Sequence, residues 1–172
     1  MTHDEFWEMI LKSRCDFDKN RHDGNMDIQA NRLRQLLAEM PSSDVEAFSG
    51  IFRQLFQNAY RWDLWGAAYI IEGGCSDGGF VDFRYWLISM GREIYEAAIV
   101  DVESLVEIAY EPGIEMCGFE GFGDIADCVL REKGVQESTE QSEFAYSREP
   151  LGKQWEYDDL PKLFPKLWSK FG

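Results

Sequence analysis

The chain has 172 residues, 45% of them apolar and 15% aromatic, with a formal net charge of −15 and a sequence pI near 4.5. That apolar share excludes disorder across the whole chain, and a domain of this length buries about 70% of its unfolded surface, enough to fold without a metal or disulfide. The acidity disfavours binding to a phosphate backbone or an anionic membrane, which both need Lys and Arg, and leaves solubility or a basic partner as its uses.

Thr2 and Glu5 have the spacing of a capping box and predict a first helix with Phe6, Trp7, Ile10 and Leu11 as its apolar stripe. Acids stand where a signal peptide has a basic region, so this start is not read as a signal, and a cytoplasmic setting is expected. No apolar run approaches the ~20 residues of a spanning helix. Cys15 to Asn25, which includes His22 and Gly24, reads as a polar loop. A second helix carries Leu33, Leu36, Leu37 and Met40 and stops at Pro41. Ser43 with Glu46 suggests a second capping box. The stripe after it is Val45, Phe48, Phe52, Leu55, Phe56, Ala59 and Trp62, with Glu46, Ser49, Arg53, Gln57 and Asn58 mainly on the other face.

From Trp62 to Ile71 almost every position is apolar, which predicts a buried central helix stopped by Gly73 and Gly74. Ser76 is placed to cap the next helix, with Asp77 in its first turn and Phe80, Phe83, Leu87 and Met90 along one face up to Gly91. Helical patterns follow from Arg92 to about Val100 and from near Ser104, with Leu105, Ile108 and Ala109. Glu111 to Gly123, with Pro112 and four glycines, reads as a loop, and Asp124 to Glu132 as a short helix ended by Gly134. Val135 to Ser147 is polar and reads as a mobile segment. Trp155 to Phe171 reads as a broken helix, interrupted by Pro161 and Pro165, that docks its apolar residues on the core. Period-two alternation is absent. The expectation is therefore an all-α single domain over residues 1–172, with six to eight helices.

Four cysteines, Cys15, Cys75, Cys117 and Cys128, form no CxxC pair and do not match a zinc site; free thiols are expected, and no motif asks for a metal or cofactor. Asp63 is a lone acid in the apolar helix, and Arg61, Arg84 and Arg92 are its candidate partners. Arg84 shares a face with Phe80 and Leu87, which points it inward and predicts an Asp63–Arg84 ion pair. Cys75 stands at a helix start, where a thiol can be activated, but Asp77 and Asp82 oppose a thiolate and no base is near in sequence. A structural Cys75 is expected. From Glu93 to Leu130 there are ten acids and no Lys or Arg, and Glu96, Glu103, Glu107, Glu111 and Glu115 are the candidate acidic face. Its two readings are a solvated surface and a docking surface for a basic protein.

The motifs Phe6-Trp7, Trp62 to Tyr69, Gly73 to Phe80, Phe83 to Ile88 and Gly91 to Glu93 make this chain resemble family 4240 of the domains of unknown function, a set of small, mostly bacterial proteins. The resemblance is dense over about residues 5 to 110. It implies a small helical domain and no known reaction.

Two functions are carried forward. One is a non-catalytic, acidic protein-interaction module, an immunity or antitoxin-like protein being a concrete version. The other is an enzyme or small-ligand receptor with an aromatic pocket at Trp62, Asp63, Trp65, Cys75, Ser76, Asp77, Arg84 and Arg92.

Overall fold

The computed structural model of the chain describes residues 1–18, 20–21, 23–108, 116–135 and 149–172. Among them the secondary structure is helical, with ten α-helices against the six to eight expected; the helix expected near Ser104 is present as Leu105–Ile108, and the broken helix of the tail forms two separate helices. No named strand occurs among the described residues, and one isolated parallel bridge joins Arg61 to Leu151.

Helix α1 (His3–Ser13) starts at the expected capping box: Thr2 Oγ1 accepts from the Glu5 amide at 3.2 Å, and Glu5 accepts from the Thr2 amide at 2.6 Å. Phe6, Trp7 and Ile10 are buried, whereas Leu11, placed on the same stripe, is 68% exposed. Helix α2 (Asn25–Ala38) begins after Gly24, whose φ of 82° suits glycine. Two of its buried residues are polar: Asn25 bonds to the Asp18 backbone, and Gln29 donates to the Ser89 carbonyl and to Ser13.

Helix α3 (Ser42–Asn58) begins one residue before the suggested capping box, with Pro41 at its N-cap and no side-chain cap bond, so Ser43 and Glu46 do not act as one. Pro41 itself is extended, with a ψ of 147°, and its carbonyl accepts from the Asp44 and Val45 amides at 3.0 and 3.2 Å. The polar face of α3 is covered in part. Ser49 is buried and donates to Asp127 at 2.9 Å, and Arg53 pairs with the same carboxylate at 3.0 and 3.1 Å. Asp127 lies on α8 (Ile125–Glu132), which packs on both α2 and α3. Lys133, just past α8, donates to the Ala38 and Met40 carbonyls at the end of α2, where a cation offsets the exposed carbonyl charge.

Helix α4 (Trp62–Ile71) has the predicted bounds, but only Leu64, Gly66, Ala67, Ala68 and Ile70 are buried; Trp62, Trp65, Tyr69 and Ile71 are half-buried. Helix α5 (Asp77–Ser89) is capped by Ser76, whose hydroxyl accepts from the Gly79 amide. Its Phe80, Phe83, Trp86 and Leu87 fill the centre of the core. Helix α6 (Arg92–Val100) follows Gly91, and a 3-10 turn (Val102–Ser104) leads into α7 (Leu105–Ile108).

The tail docks, as its apolar spacing predicts. A 3-10 turn (Tyr157–Asp159) leads into α9 (Leu160–Leu163) and α10 (Pro165–Phe171), with the break at Phe164, whose backbone (φ −131°, ψ 63°) leaves the helical region that a residue before proline disfavours. Leu160, Phe164 and Leu167 are buried, and α10 lies on α4 and α7. The segment 135–147 read as mobile, apart from Val135, together with His22, Ala109, Glu111, Pro112 and Glu115, lies outside the described residues.

Candidate functional site

The expected aromatic pocket is a row of packed rings. Trp62 and Trp65, on one face of α4, stack at 5.3 Å with an interplanar angle of 8°, and Trp65 stacks on Phe80 at 5.0 Å and 10°. The row ends on the Arg84 guanidinium, which lies 5.0 Å from the Phe80 ring centre, 4.7 Å from Tyr60 and 3.7 Å from Phe56. Arg84 points inward as expected and is 6% exposed.

The Asp63–Arg84 pair does not form. Asp63 sits in the first turn of α4 and holds Arg61 through two bonds of 3.0 and 2.9 Å, at a partly exposed position. Its Oδ1 also accepts from the Leu64 amide, as an acid at a helix start is suited to do. Arg84 instead donates to the carbonyls of Phe80, at 3.3 Å, and of Phe56, at 3.2 Å. Phe56 lies in the last turn of α3, where free carbonyls and the helix dipole favour a cation. The adjacent Leu55 carbonyl is taken by the Tyr95 hydroxyl at 2.7 Å. Three aromatic faces and a helix C-terminus thus do the work expected of a carboxylate. Burial still pulls the Arg84 pKa down to about 10.

The remaining pocket residues are dispersed. The Cys75 carbonyl accepts from the Trp65 indole at 3.0 Å, and its thiol is pushed up to about 11 by burial first and then by Glu72, Asp82 and Asp77. Ser76 is used as the α5 cap, and Asp77 lies in that first turn. Arg92 is on the surface of α6, bound to Asp4 at 2.7 Å and Glu96 at 2.8 Å, and so is not a neighbour of Arg84 in one cage. The four cysteines are free, and no cluster of three His, Cys, Asp or Glu suited to a metal occurs among the described residues.

The acidic face is also divided. Glu96 is paired with Arg92, and Glu103 accepts from the Lys166 and Leu167 amides at 2.5 and 3.3 Å, at the start of α10. Glu103 is therefore a structural contact between the 102–104 turn and the tail. Glu107 is exposed, and Glu111 and Glu115 lie outside the described residues.

A groove between α1 and the start of α6 was not singled out from the sequence. It has a volume of about 650 Å³ and is lined by Asp4, Trp7, Glu8, Leu11, Met90, Gly91, Arg92, Glu93 and Ile94. Trp7, Met90, Ile94 and Leu11 supply apolar surface, and Asp4, Glu8 and Glu93 supply acid against the one cation, Arg92, which Asp4 and Glu96 already engage. On the other flank of α1 a second concavity of about 370 Å³ is lined by Met1, Glu5, Glu8, Met9, Lys12, Met40 and Asp44. Glu8 borders both. The sequence signal was Leu11, one apolar residue more than the buried stripe of α1 needs.

Fold and surface together define a compact all-α protein with an acidic, methionine-bearing groove beside its first helix. No helix among the described residues is long and apolar enough to cross a membrane. The chain belongs to the family described as Protein of unknown function (DUF4240), which matches residues 1–131, from α1 to the end of α8 but for one residue. No curated protein and no solved structure matches it.

Proposed function

We propose that this protein is a non-catalytic interaction module that binds a basic, amphipathic segment of a partner protein along α1 and its groove with α6. The observation that carries this reading is the combination in that groove of an exposed Leu11, a floor of Trp7, Met90 and Ile94, and a rim of Asp4, Glu8 and Glu93. An amphipathic helix lays its apolar face into such a groove, and lysines or arginines on its flanks meet the rim. The net charge of −15 would steer a basic partner toward the surface. A toxin-neutralising role in the cytoplasm is one form of this function, and four free thiols fit a reducing compartment. Cys75 supports the non-catalytic reading, since its burial and three neighbouring acids hold the thiol protonated.

The test is a titration with a helical peptide of alternating Leu and Lys faces, read by amide chemical shifts at low and high salt, with a Leu/Glu peptide as control. The expected result is saturable binding of the basic peptide that moves α1 and α6 resonances, weakens with salt, and falls at least about tenfold, or 1.4 kcal/mol, in the Glu8→Lys, Leu11→Asp, Glu93→Lys variant. Equal binding to that variant, or shifts confined to other helices, would overturn the proposal.

A further inference from the structure

We propose that the face made by α4, the 102–104 turn and α7 is a second protein-binding site, built for an amphipathic helical segment, and that residues 155–171 are its occupant in cis. This proposal does not rest on the α1–α6 groove.

The tail has the pattern of an amphipathic ligand. Glu156, Asp158 and Asp159 precede its helices, and residues 160–172 contain Lys162, Lys166 and Lys170 and no acid. All three lysines are exposed, while Leu160, Phe164 and Leu167 turn inward. Its two helices span four and seven residues, too short to persist without a surface to lie on.

The face beneath is shaped for it. Gly66 leaves α4 bare where the Phe164 ring and the Trp155 indole come down: a Cβ there would lie 2.6 Å from Phe164 Cε2 and 3.1 Å from Trp155 Nε1. Trp155 donates to the Trp62 carbonyl at 2.7 Å and stands edge-on to Trp62 and Tyr69. Glu103 receives two amides at the start of α10, and Lys170 donates to the Val106 carbonyl at 3.1 Å near its end. Upstream, the Trp62 amide donates to the Leu151 carbonyl and the Leu151 amide to the Tyr60 carbonyl, both at 2.9 Å, a one-residue strand addition. Main-chain pairing, a helix laid on an apolar face and a carboxylate at a helix start are the devices by which folded domains take peptides. Each receptor element falls within residues 1–131.

A tethered occupant acts at an effective concentration of about a millimolar. A partner segment of like chemistry therefore competes poorly while the tether is intact and well once it is cut. The experiment inserts a site-specific protease sequence between Gln141 and Ser142 of the full chain and compares intact with nicked protein. The probe is a fluorescent peptide of residues 149–172. The expected result is saturable exchange into the nicked chain, at least about tenfold tighter than into the intact chain. Peptides with Leu160, Phe164 and Leu167 changed to Ser should not bind, and Glu103→Gln in the core should weaken binding severalfold. Hydrogen exchange on the intact wild type is the second measurement, with amides of residues 160–171 expected to open before those of α3 and α5. A nicked chain that never exchanges its tail, one that unfolds when the tail leaves, or tail amides as protected as α3 would each overturn the proposal.

Discussion

Replacing Gly66 with alanine sets two opposing effects against each other on α4. Alanine is favoured over glycine inside a helix by about 1 kcal/mol. The added methyl carbon, however, would start 2.6 Å from Phe164 Cε2, 3.2 Å from Phe164 Cζ and 3.1 Å from Trp155 Nε1. Carbon atoms rest at about 3.5–4.0 Å. Neither ring has an easy retreat: Phe164 is buried, and the Trp155 indole is bonded to the Trp62 carbonyl. Overpacking of this kind costs about 1–3 kcal/mol, so the net expectation is a loss of up to about 2 kcal/mol. For a chain of this length that lowers the melting temperature by up to about 4–8 °C. The loss should shrink when Phe164 is also changed to alanine, because only the 3.1 Å approach to Trp155 Nε1 then opposes the helix preference. Thermal unfolding of the four proteins in this double-mutant cycle measures both numbers. A higher melting temperature for Gly66→Ala alone would refute the seating of the tail on α4.

Asp63→Asn should cost less than about 1 kcal/mol in chemical denaturation, since its partner is Arg61 at a partly exposed site; a loss above 3 kcal/mol would mean that a buried pair had been broken after all. Cys75 in the folded chain should react with iodoacetamide at pH 8 about a hundredfold more slowly than in the unfolded chain, because its thiol stays protonated to about 11 against an ordinary 9.0. Mass-spectrometric detection of rapid modification at Cys75 would contradict this. Cys117 is pushed up to about 12, first by burial and then by Glu72. The unfolded chain therefore loses that proton first, so stability present below pH 9 declines as the pH rises from 9 toward 12. Between pH 9 and 10 the decline in unfolding free energy should be shallower in Cys117→Ala, and an identical slope would remove Cys117 as its source.

Helix bounds were legible where glycines and caps punctuate the chain. Thr2 with Glu5, Ser76 after Gly73-Gly74, and Gly91 before Arg92 all mark real boundaries. Ser43 with Glu46 has the same spacing as Thr2 with Glu5 yet makes no cap, because Pro41 had already started the helix. Docking of the tail was legible from Leu160, Leu163, Phe164, Leu167, Trp168 and Phe171, of which Leu160, Phe164 and Leu167 are buried and Leu163 is 53% exposed. Pairing between helices was not. One-dimensional periodicity gives the face a residue occupies on its own helix, but not how two helices are rotated against each other. Arg84 was therefore placed inside correctly and given the wrong partner: its guanidinium reaches the end of α3, which no spacing along α5 encodes. Glu103 was counted as a surface acid for the same reason, since its use depends on where α10 begins in space. The α1–α6 groove is a property of two segments far apart in the chain, and only the surplus apolar Leu11 hinted at it.

The near-parallel stacking of Trp62 on Trp65 has an optical consequence. Two indoles this close couple their electronic transitions, and an in-plane twist between them adds an exciton contribution to the far-ultraviolet circular dichroism on top of the helical bands. Comparison with Trp65→Phe isolates that contribution from helix content, since the Trp62–Trp155 and Tyr69–Trp155 contacts stay in place. Because Trp155 of the tail touches Trp62 edge-on, the same couplet serves as a built-in gauge of tail position, readable in unlabelled protein.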